Sequence, residues 1–577
     1  MTETLTKAQK AAVEDRGGPL LVAAAAGSGK TKVLVDRLMG YLCQDRDPAN
    51  VDEFLIITYT KAAASELRGK IGAKLTEVLA ANPGNRHLQR QVQRLYLAKI
   101  STVHSFCGDL LREYAFALEL PGDFRVADET ECHSLRQRAM EEILEAAYEN
   151  ISGSPQLQAF VDTQGFGRDD HAVPEIVAAV YEAARCHLRP DAWLESCLKG
   201  QEEARDAGQT TWGKYLMDRL QAYLADQEEL LRRALQLAWT QEDLGPKYGP
   251  TLEENLRQLE SLRACRTWEE VRTHQITDFG RLAAVRKPRD PDLAERIKAL
   301  RKACWEGVKA RQAPFAVDSQ RLLADLDQSH LALQGLVQLV RDFARVYEGE
   351  KRRRRVLDFG DLEHRTLELL LGKLGDSPTR AAGEIGRRFR EVMVDEYQDT
   401  NEVQDRIFET LTRERGNCFL VGDVKQSIYR FRLADPGIFL EKYREFVPAG
   451  EAEPGQGRKI LLSENFRSGG EILEAANHVF RCTMSASVGG LEYGEAEALR
   501  EGIPHRPLPQ SAVELHGIQL TPGPGGEAAV KYEAEAQFVA ERIEALLGEP
   551  AMIRQGEDLR PVRPGDIVIL LRSPGSC

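Results

Sequence analysis

Short unbroken apolar runs punctuate the chain, and each gives way to small or polar residues. Pro19 to Ala26 is apolar and runs into Gly27-Ser28-Gly29. Phe54 to Thr58, Val392 to Val394 and Phe419 to Val421 have the same form. Runs this short, without alternation, predict strands buried on both faces. Helical spacing lies between them, as in Lys32–Leu42 and Lys61–Leu79. Strand and helix in alternation predict a parallel α/β sheet. From about 128 to 355 the pattern changes, with Leu, Ala, Glu, Arg and Gln recurring at helical spacing and few strand signals. Strands resume near 392, so the reading is a large helical insertion within one α/β domain. Pro- and Gly-rich stretches at 447–457 and 503–526 mark further boundaries, and Asp566 to Leu571 reads as one more buried strand. No repeat of fixed period is visible.

Length narrows this picture. The 577 residues correspond to about four domains at roughly 150 residues each. Hydrophobic residues make up 42%, enough for packed cores, which excludes a wholly disordered chain. Acids outnumber bases, 90 against 77, so a blanket of positive charge is excluded while a basic groove on an acidic body is not. Residues 78–108 hold no acid, and Arg86, Arg90 and Arg94 share one helical face. That stripe suits either a solvated face or phosphate tracking. Lys351 to Arg355 is ambiguous in the same way, between duplex and a partner protein. No apolar run approaches the ~20 residues of a membrane helix, and the first residues lack a signal-peptide layout. The ten cysteines never fall as Cys-x-x-Cys, so neither a zinc ribbon nor a redox pair is expected. A reduced, soluble, intracellular protein is expected.

Chemistry concentrates where strands end. Ala24-Ala25-Ala26-Gly27-Ser28-Gly29-Lys30-Thr31 lies between a strand and a helix. Glycines let backbone N–H groups approach phosphates, and a helix N-terminus favours their charge. Lys30 would neutralise the phosphates, and Thr31 would offer its hydroxyl to Mg²⁺. Ala24 stands where the full pattern has its first glycine. A nucleotide site also needs carboxylates, and Asp395-Glu396 supplies them after Val392 to Val394. Asp395 is placed to hold the Mg²⁺ shell, and Glu396 to orient and deprotonate an attacking water. Loop and acid pair together read as an ATPase-like core.

These elements, in this order, resemble the UvrD/Rep-like superfamily 1 DNA helicases. Leu5-Thr6-x-x-Gln9 is similar to their adenine-reading motif, with Gln9 on the base edge, and Arg37 matches a position supporting adenine. Thr58-Tyr59-Thr60 and Thr102-Val103-His104-Ser105-Phe106 resemble two motifs that contact single strands. Asp395 to Thr400 is similar to the Asp-Glu-x-Gln-Asp motif. Val421 to Arg432 resembles the segment coupling ATP to DNA, which implies Gln426 sensing the γ-phosphate and Tyr429, Phe431 and Arg432 facing DNA. The resemblance also makes Arg467, in Asn465-Phe466-Arg467-Ser468, the arginine for transition-state charge. Tyr59, His104 and Phe431, each after a strand, are the candidates for base stacking. Residues 424–436, Asp358 to Glu363 and Ser101 to Cys107 resemble the AddA-type variants of the superfamily, and the long insertion suits the AddA and RecB branch.

The resemblance implies a RecA-like P-loop motor domain in two parts, 1–115 and 356–446, around an all-helical insertion at 116–355. Residues 447–577 would begin an incomplete second RecA-like domain. It implies a 3′→5′ ATP-dependent DNA helicase or translocase with ATP and Mg²⁺, acting on single strands and duplex ends. The setting implied is an AddAB-type helicase–nuclease, a heterodimer with an AddB-type partner, processing double-strand breaks for recombination in the bacterial cytoplasm. Full-length members are also exonucleases. No Asp-Tyr-Lys of that nuclease occurs here, and the later motor motifs are missing, so the chain resembles an N-terminal portion. Two other readings stay open: a stand-alone UvrD-like repair helicase, and a DNA-bound ATP switch that unwinds nothing.

Overall fold

The structure, a computed structural model, describes residues 5–571 apart from 45, 165–171, 200–203, 374, 376, 428–432, 506–507, 511, 521–530 and 557. Nine strands matter to the site: β1 (Leu20–Ala24), β2 (Phe54–Thr58), β3 (Lys99–Thr102), β4 (Arg125–Val126), β5 (Val356–Leu357), β6 (Glu391–Val394), β7 (Cys418–Gly422), β8 (Val447–Pro448) and β9 (Arg458–Leu462). Seven of them form one sheet in the order β3-β2-β6-β7-β1-β9-β8, and every neighbouring pair is parallel.

The apolar runs are continuous because both faces of this sheet are covered. Successive side chains of β2 point opposite ways, so Phe54 and Ile56 enter one core while Leu55 and Ile57 enter the other. The first core takes Val33, Leu34 and Leu38 from helix Lys30–Leu42, and Leu67, Ile71 and Leu75 from helix Lys61–Ala81. The second takes Phe106 and Leu110 from helix Val103–Glu113, Leu367 and Leu370 from helix Phe359–Leu371, and Ile407 and Phe408 from helix Glu402–Thr412. Each such side chain, fully buried, contributes about 1.5–3 kcal/mol.

Two strands have weak signals in the sequence. β3 (Lys-Ile-Ser-Thr) is an edge strand with one large apolar residue, and β9 opens on Arg458-Lys459. β9 pairs along the whole of β1, from Leu20 opposite Arg458 to Ala24 opposite Leu462. Residues 447–462, expected to open a second domain, therefore belong to the same sheet as the phosphate loop.

The expected strand at 566–571 is not formed. Pro564–Asp566 is a 3-10 turn, and Val568 and Leu570 beyond it are 76% and 89% exposed. A strand needs a ladder partner, and the neighbouring Met552–Gln555 and Asp558–Pro561 pair with each other.

Residues 127–185 and 189–354 form a compact unit of their own, residues 186–188 counting with the sheet. Among its described residues this unit has no strand; its regular elements are all helices and helical turns, up to the 36-residue Ser319–Arg354. Its core gathers Trp268, Leu224, Leu231, Leu259, Ile297 and Phe315. Its edges differ from the expected 116–355, because β4 and β5 pair in parallel and hold residues 116–126 with the sheet unit. Among the described residues, no helix is long and apolar enough to cross a membrane, and nine cysteines are free thiols.

Candidate nucleotide and nucleic-acid site

Every sequence-derived site motif of the sheet lies where a parallel strand ends and a helix or turn begins, the usual position for ligands in such sheets. β1 runs into the phosphate loop. Gly27 and Gly29 hold φ of 69° and 81°, conformations that favour glycine. A Cβ on Gly27 would stand 2.7 Å from Asn465 Nδ2, and one on Gly29 3.1 Å from Gln9 Nε2. The Ala25 N–H donates to the Leu462 carbonyl at 3.0 Å, which ties the loop to β9. The Ser28 hydroxyl is buried and has no hydrogen-bond partner among the described residues.

β6 delivers the acids to this loop. Lys30 Nζ lies 2.9 Å from Glu396 Oε2. Glu396 itself is left-handed, at φ 52° and ψ 42°, which costs a non-glycine residue about 1–2 kcal/mol. Its N–H donates to Asp395 Oδ1 at 3.0 Å. Burial, and then the adjacent Glu396 carboxylate, push the Asp395 carboxyl up to about 6, with Lys30 opposing them.

From Glu396 a chain of hydrogen bonds leads to β7. Gln398, buried, donates from Nε2 to Glu396 Oε2 at 2.8 Å. Its Oε1 accepts the Asp423 N–H at 2.9 Å. Asp423 Oδ2 accepts Gln426 Nε2 at 2.7 Å, and its Oδ1 lies 2.9 Å from Lys425 Nζ. Lys30 and Gln426 are thus joined through Glu396, Gln398 and Asp423.

The segment after β9 closes the other flank of the loop. Asn465 Nδ2 donates to the Ala26 carbonyl at 2.7 Å, and the Phe466 N–H donates to the Gly27 carbonyl at 2.9 Å. Asn465 Oδ1 accepts the N–H groups of Arg467 and Ser468, at 2.8 and 2.7 Å. Arg467 is therefore fixed beside Gly27 through its backbone.

Gln9 lies on helix Lys7–Glu14 in a capping box with Thr6. Its Oε1 accepts the Thr6 N–H at 3.0 Å, and its Nε2 donates to the Ser28 carbonyl at 2.9 Å. Arg37 is 1% exposed and turned away from the loop. It pairs with Glu391 through Nε at 2.8 Å, and its Nη1 donates to the carbonyls of Ala12 and Asp15 at 2.8 and 2.6 Å. These bonds tie Arg37 to β6 and to the helix that carries Gln9.

β2 and β3 carry the strand-contact candidates. Thr60 and Thr102 cap the helices that follow, accepting the N–H of Ala63 at 3.0 Å and of Ser105 at 3.3 Å. Thr58 is buried, its hydroxyl donating to the Thr60 carbonyl at 3.2 Å, and the Ser105 hydroxyl bonds that of Thr102 at 2.9 Å. Tyr59 is half-buried, with its hydroxyl bonded to Thr400. Burial pushes that hydroxyl's pKa upward. His104 stacks on Phe359 with ring centroids 4.5 Å apart and bonds Glu363 at 3.0 Å. Burial disfavours the Glu363 carboxylate, but hydrogen bonds from His104, Gln404 and Asn401 outweigh it and hold the carboxyl below its ordinary range. Tyr429, Phe431 and Arg432 lie outside the described residues.

The basic runs are partly neutralised. Arg94 bonds Asp52 at 2.6 Å while Arg86 and Arg90 are exposed. Lys351 is buried beside the Tyr347 ring, and Arg352, Arg353 and Arg355 pair with Glu348, Glu350 and Asp123. The sequence assigns no roles to Gln398, Glu363 and Asn401. Gln398 and Glu363 lie inside the family-like motifs, whereas the Asp423 partner of Gln398 and the partners of Glu363 are remote in sequence.

The site fits a nucleoside triphosphate. A glycine cradle, an orphaned hydroxyl and the N-terminus of a 13-residue helix converge on it. No group of three or more His, Cys, Asp or Glu that could hold a metal occurs among the described residues. A magnesium ion here would take Thr31 and Asp395 and complete its shell from phosphate and water.

Comparison with known proteins points the same way. The family model for the UvrD/REP helicase N-terminal domain matches residues 5–447. The A subunit of an ATP-dependent helicase/nuclease from Bacillus anthracis is 36% identical over 98% of this chain and 47% of its own length. Its counterpart in Bacillus cytotoxicus gives the same identity and coverage. The chain spans about half the length of the curated relatives it matches.

Proposed function

The chain belongs to the UvrD/REP helicase family, and from that membership we propose that it is the ATP-driven motor portion of a DNA helicase of the AddA helicase–nuclease type. The observation that carries this reading is the continuous bonded path from Lys30 to Gln426, set on the same sheet as Tyr59 and His104.

As triphosphate enters the loop, Lys30 exchanges Glu396 for phosphate oxygens, and Ser28 gains a partner. Glu396, released but still held by Gln398, orients the attacking water and takes its proton. Bound Mg²⁺ supplies charge neutralisation at the phosphates, with Thr31 and Asp395 as its protein ligands. Arg467, beside Gly27, meets the charge developing on the γ-phosphate. Gln398 and Asp423 pass the change to Gln426 and onward to the segment bearing Tyr429, Phe431 and Arg432. Gln9 reads the base edge once its present bonds exchange. Tyr59, Phe431 and His104 grip bases by stacking, and the capped helix ends after Thr60 and Thr102 meet the backbone.

In this reading the sheet unit is a RecA-like motor domain interrupted by a helical insertion, and the residues after β9 begin a second motor domain. The strand moves 3′→5′ by roughly one base per cycle, as the family resemblance implies. The substrates are single strands and duplex ends, with break repair by recombination as the setting and an AddB-type partner.

Strand displacement tests the motor. With magnesium ATP, a duplex carrying a 3′ tail is expected to unwind and one carrying a 5′ tail is not. Nucleotide-dependent binding with no displacement from either duplex would replace the motor by a DNA-bound switch.

A further inference from the structure

Two side chains at the strand-contact end are linked to the segment that carries the acids Asp395 and Glu396, one directly and one through Glu363. The Tyr59 hydroxyl meets Thr400, which is fully buried. His104 meets Glu363, which is 4% exposed. Glu363 in turn accepts Asn401 Nδ2 at 3.2 Å and Gln404 Nε2 at 2.7 Å. Asn401 caps helix Glu402–Thr412 and directly follows the Asp395–Thr400 motif. None of these bonds passes through Gln398, Asp423 or Gln426.

We propose that Glu363 is a positioning residue that transmits the nucleotide state from the Asp395–Asn401 segment to His104, giving this motor a second coupling path beside the one ending at Gln426. The inference rests on the functional reading above. Glu363 is suited to the task because it is a buried acceptor surrounded by donors. A shift of Asn401 and Gln404 must move either the carboxylate or its bond to His104, since a buried carboxylate left short of a donor is costly. Phe359, at the start of the same helix and 53% exposed, holds the face of the His104 ring, so the helix sets both the tilt and the hydrogen bond of that ring.

The test measures oligothymidylate affinity of the chain with and without a non-hydrolysable ATP analogue plus Mg²⁺. The unaltered chain is expected to show a nucleotide-dependent change of about fivefold or more. In Glu363→Gln, whose amide nitrogen would face donors, that change falls below about twofold while analogue affinity stays within about twofold. Adding Glu363→Gln to His104→Ala should produce no further loss, because one acts through the other. Should Glu363→Gln fail to fold, Asn401→Ser keeps a helix cap, removes one donor and should halve the nucleotide effect. A nucleotide effect retained in both variants, or additive losses in the double variant, overturns the relay. No nucleotide effect in the unaltered chain overturns the functional reading and the relay with it.

Discussion

The two ends of the sheet's site differ in how complete they are. At the β1, β6 and β7 end, bonding is left unfinished: Ser28 has an orphaned hydroxyl, Glu396 is left-handed, and the Asp395 carboxyl is raised to about 6. At the β2 and β3 end, the side chains largely bond one another, with Tyr59 on Thr400 and His104, Asn401 and Gln404 around Glu363, and Gln404 Oε1 alone of that group is left without a partner among the described residues. A region built for a small, highly charged ligand stores strain that the ligand relieves. A region that must grip and release a strand repeatedly keeps a stable resting state of its own. Side-chain substitutions that leave the left-handed glycines intact should therefore cost function without stability at the first end, and stability as well as function at the second.

The largest contrast is expected from Lys30→Ala. ATP turnover should fall by about 10²–10³-fold, with single-strand affinity within a few fold and folding intact. Turnover equal to that of the unaltered chain would remove the nucleotide-site assignment. Gly29→Ala comes next, because it forces a side chain into left-handed backbone at a cost of about 1–2 kcal/mol. Nucleotide affinity should drop about tenfold, measured by equilibrium titration with a fluorescent ATP analogue.

Asp395→Asn has a signed dependence on pH. The folded-state carboxyl is raised to about 6, so the fold holds a proton that the unfolded chain has already released. Stability therefore falls as pH rises from the ordinary carboxylate range to that value, and the full burden is present above it. The neutral amide avoids the burden. Without nucleotide or metal, the variant should melt a few degrees higher at pH 7.5 and no higher near pH 4. A lower melting temperature at pH 7.5 would mean that Asp395 is a structural carboxylate. The smallest effect is expected at the other end, where Thr400→Val leaves the Tyr59 hydroxyl without its partner and should cost about 1 kcal/mol, read as a melting shift of about 2 °C. An unchanged melting temperature there would erase the difference between the two ends.

This contrast also governs what was legible in the sequence. The nucleotide end is written locally: the glycines, Lys30, Thr31 and the acid pair sit in short motifs whose residue types are dictated by phosphate chemistry. The buried strands β1, β2, β6 and β7 were legible because both faces are covered, which makes them apolar throughout. β3 and β9 were not, since one is an edge with a single large apolar side chain and the other opens on two basic residues. Arg37 reads as a ligand from its motif position, yet Glu391 lies 354 residues away and only the fold brings them together. Glu363 had the same fate, because the meaning of a buried carboxylate depends on donors brought to it from other elements. The run 566–571 reads as a strand from composition, but pairing decides strands, and no ladder among the described residues includes it.

The most direct measurement is steady-state ATP turnover by the chain at saturating Mg²⁺ and ATP, with and without an oligothymidylate long enough to span the sheet's β2 and β3 end. Coupling of the two ends predicts a rate that rises several-fold and saturates with added strand. A rate indifferent to the strand would contradict it, leaving a nucleotide site and a strand-contact surface that share a sheet without communicating.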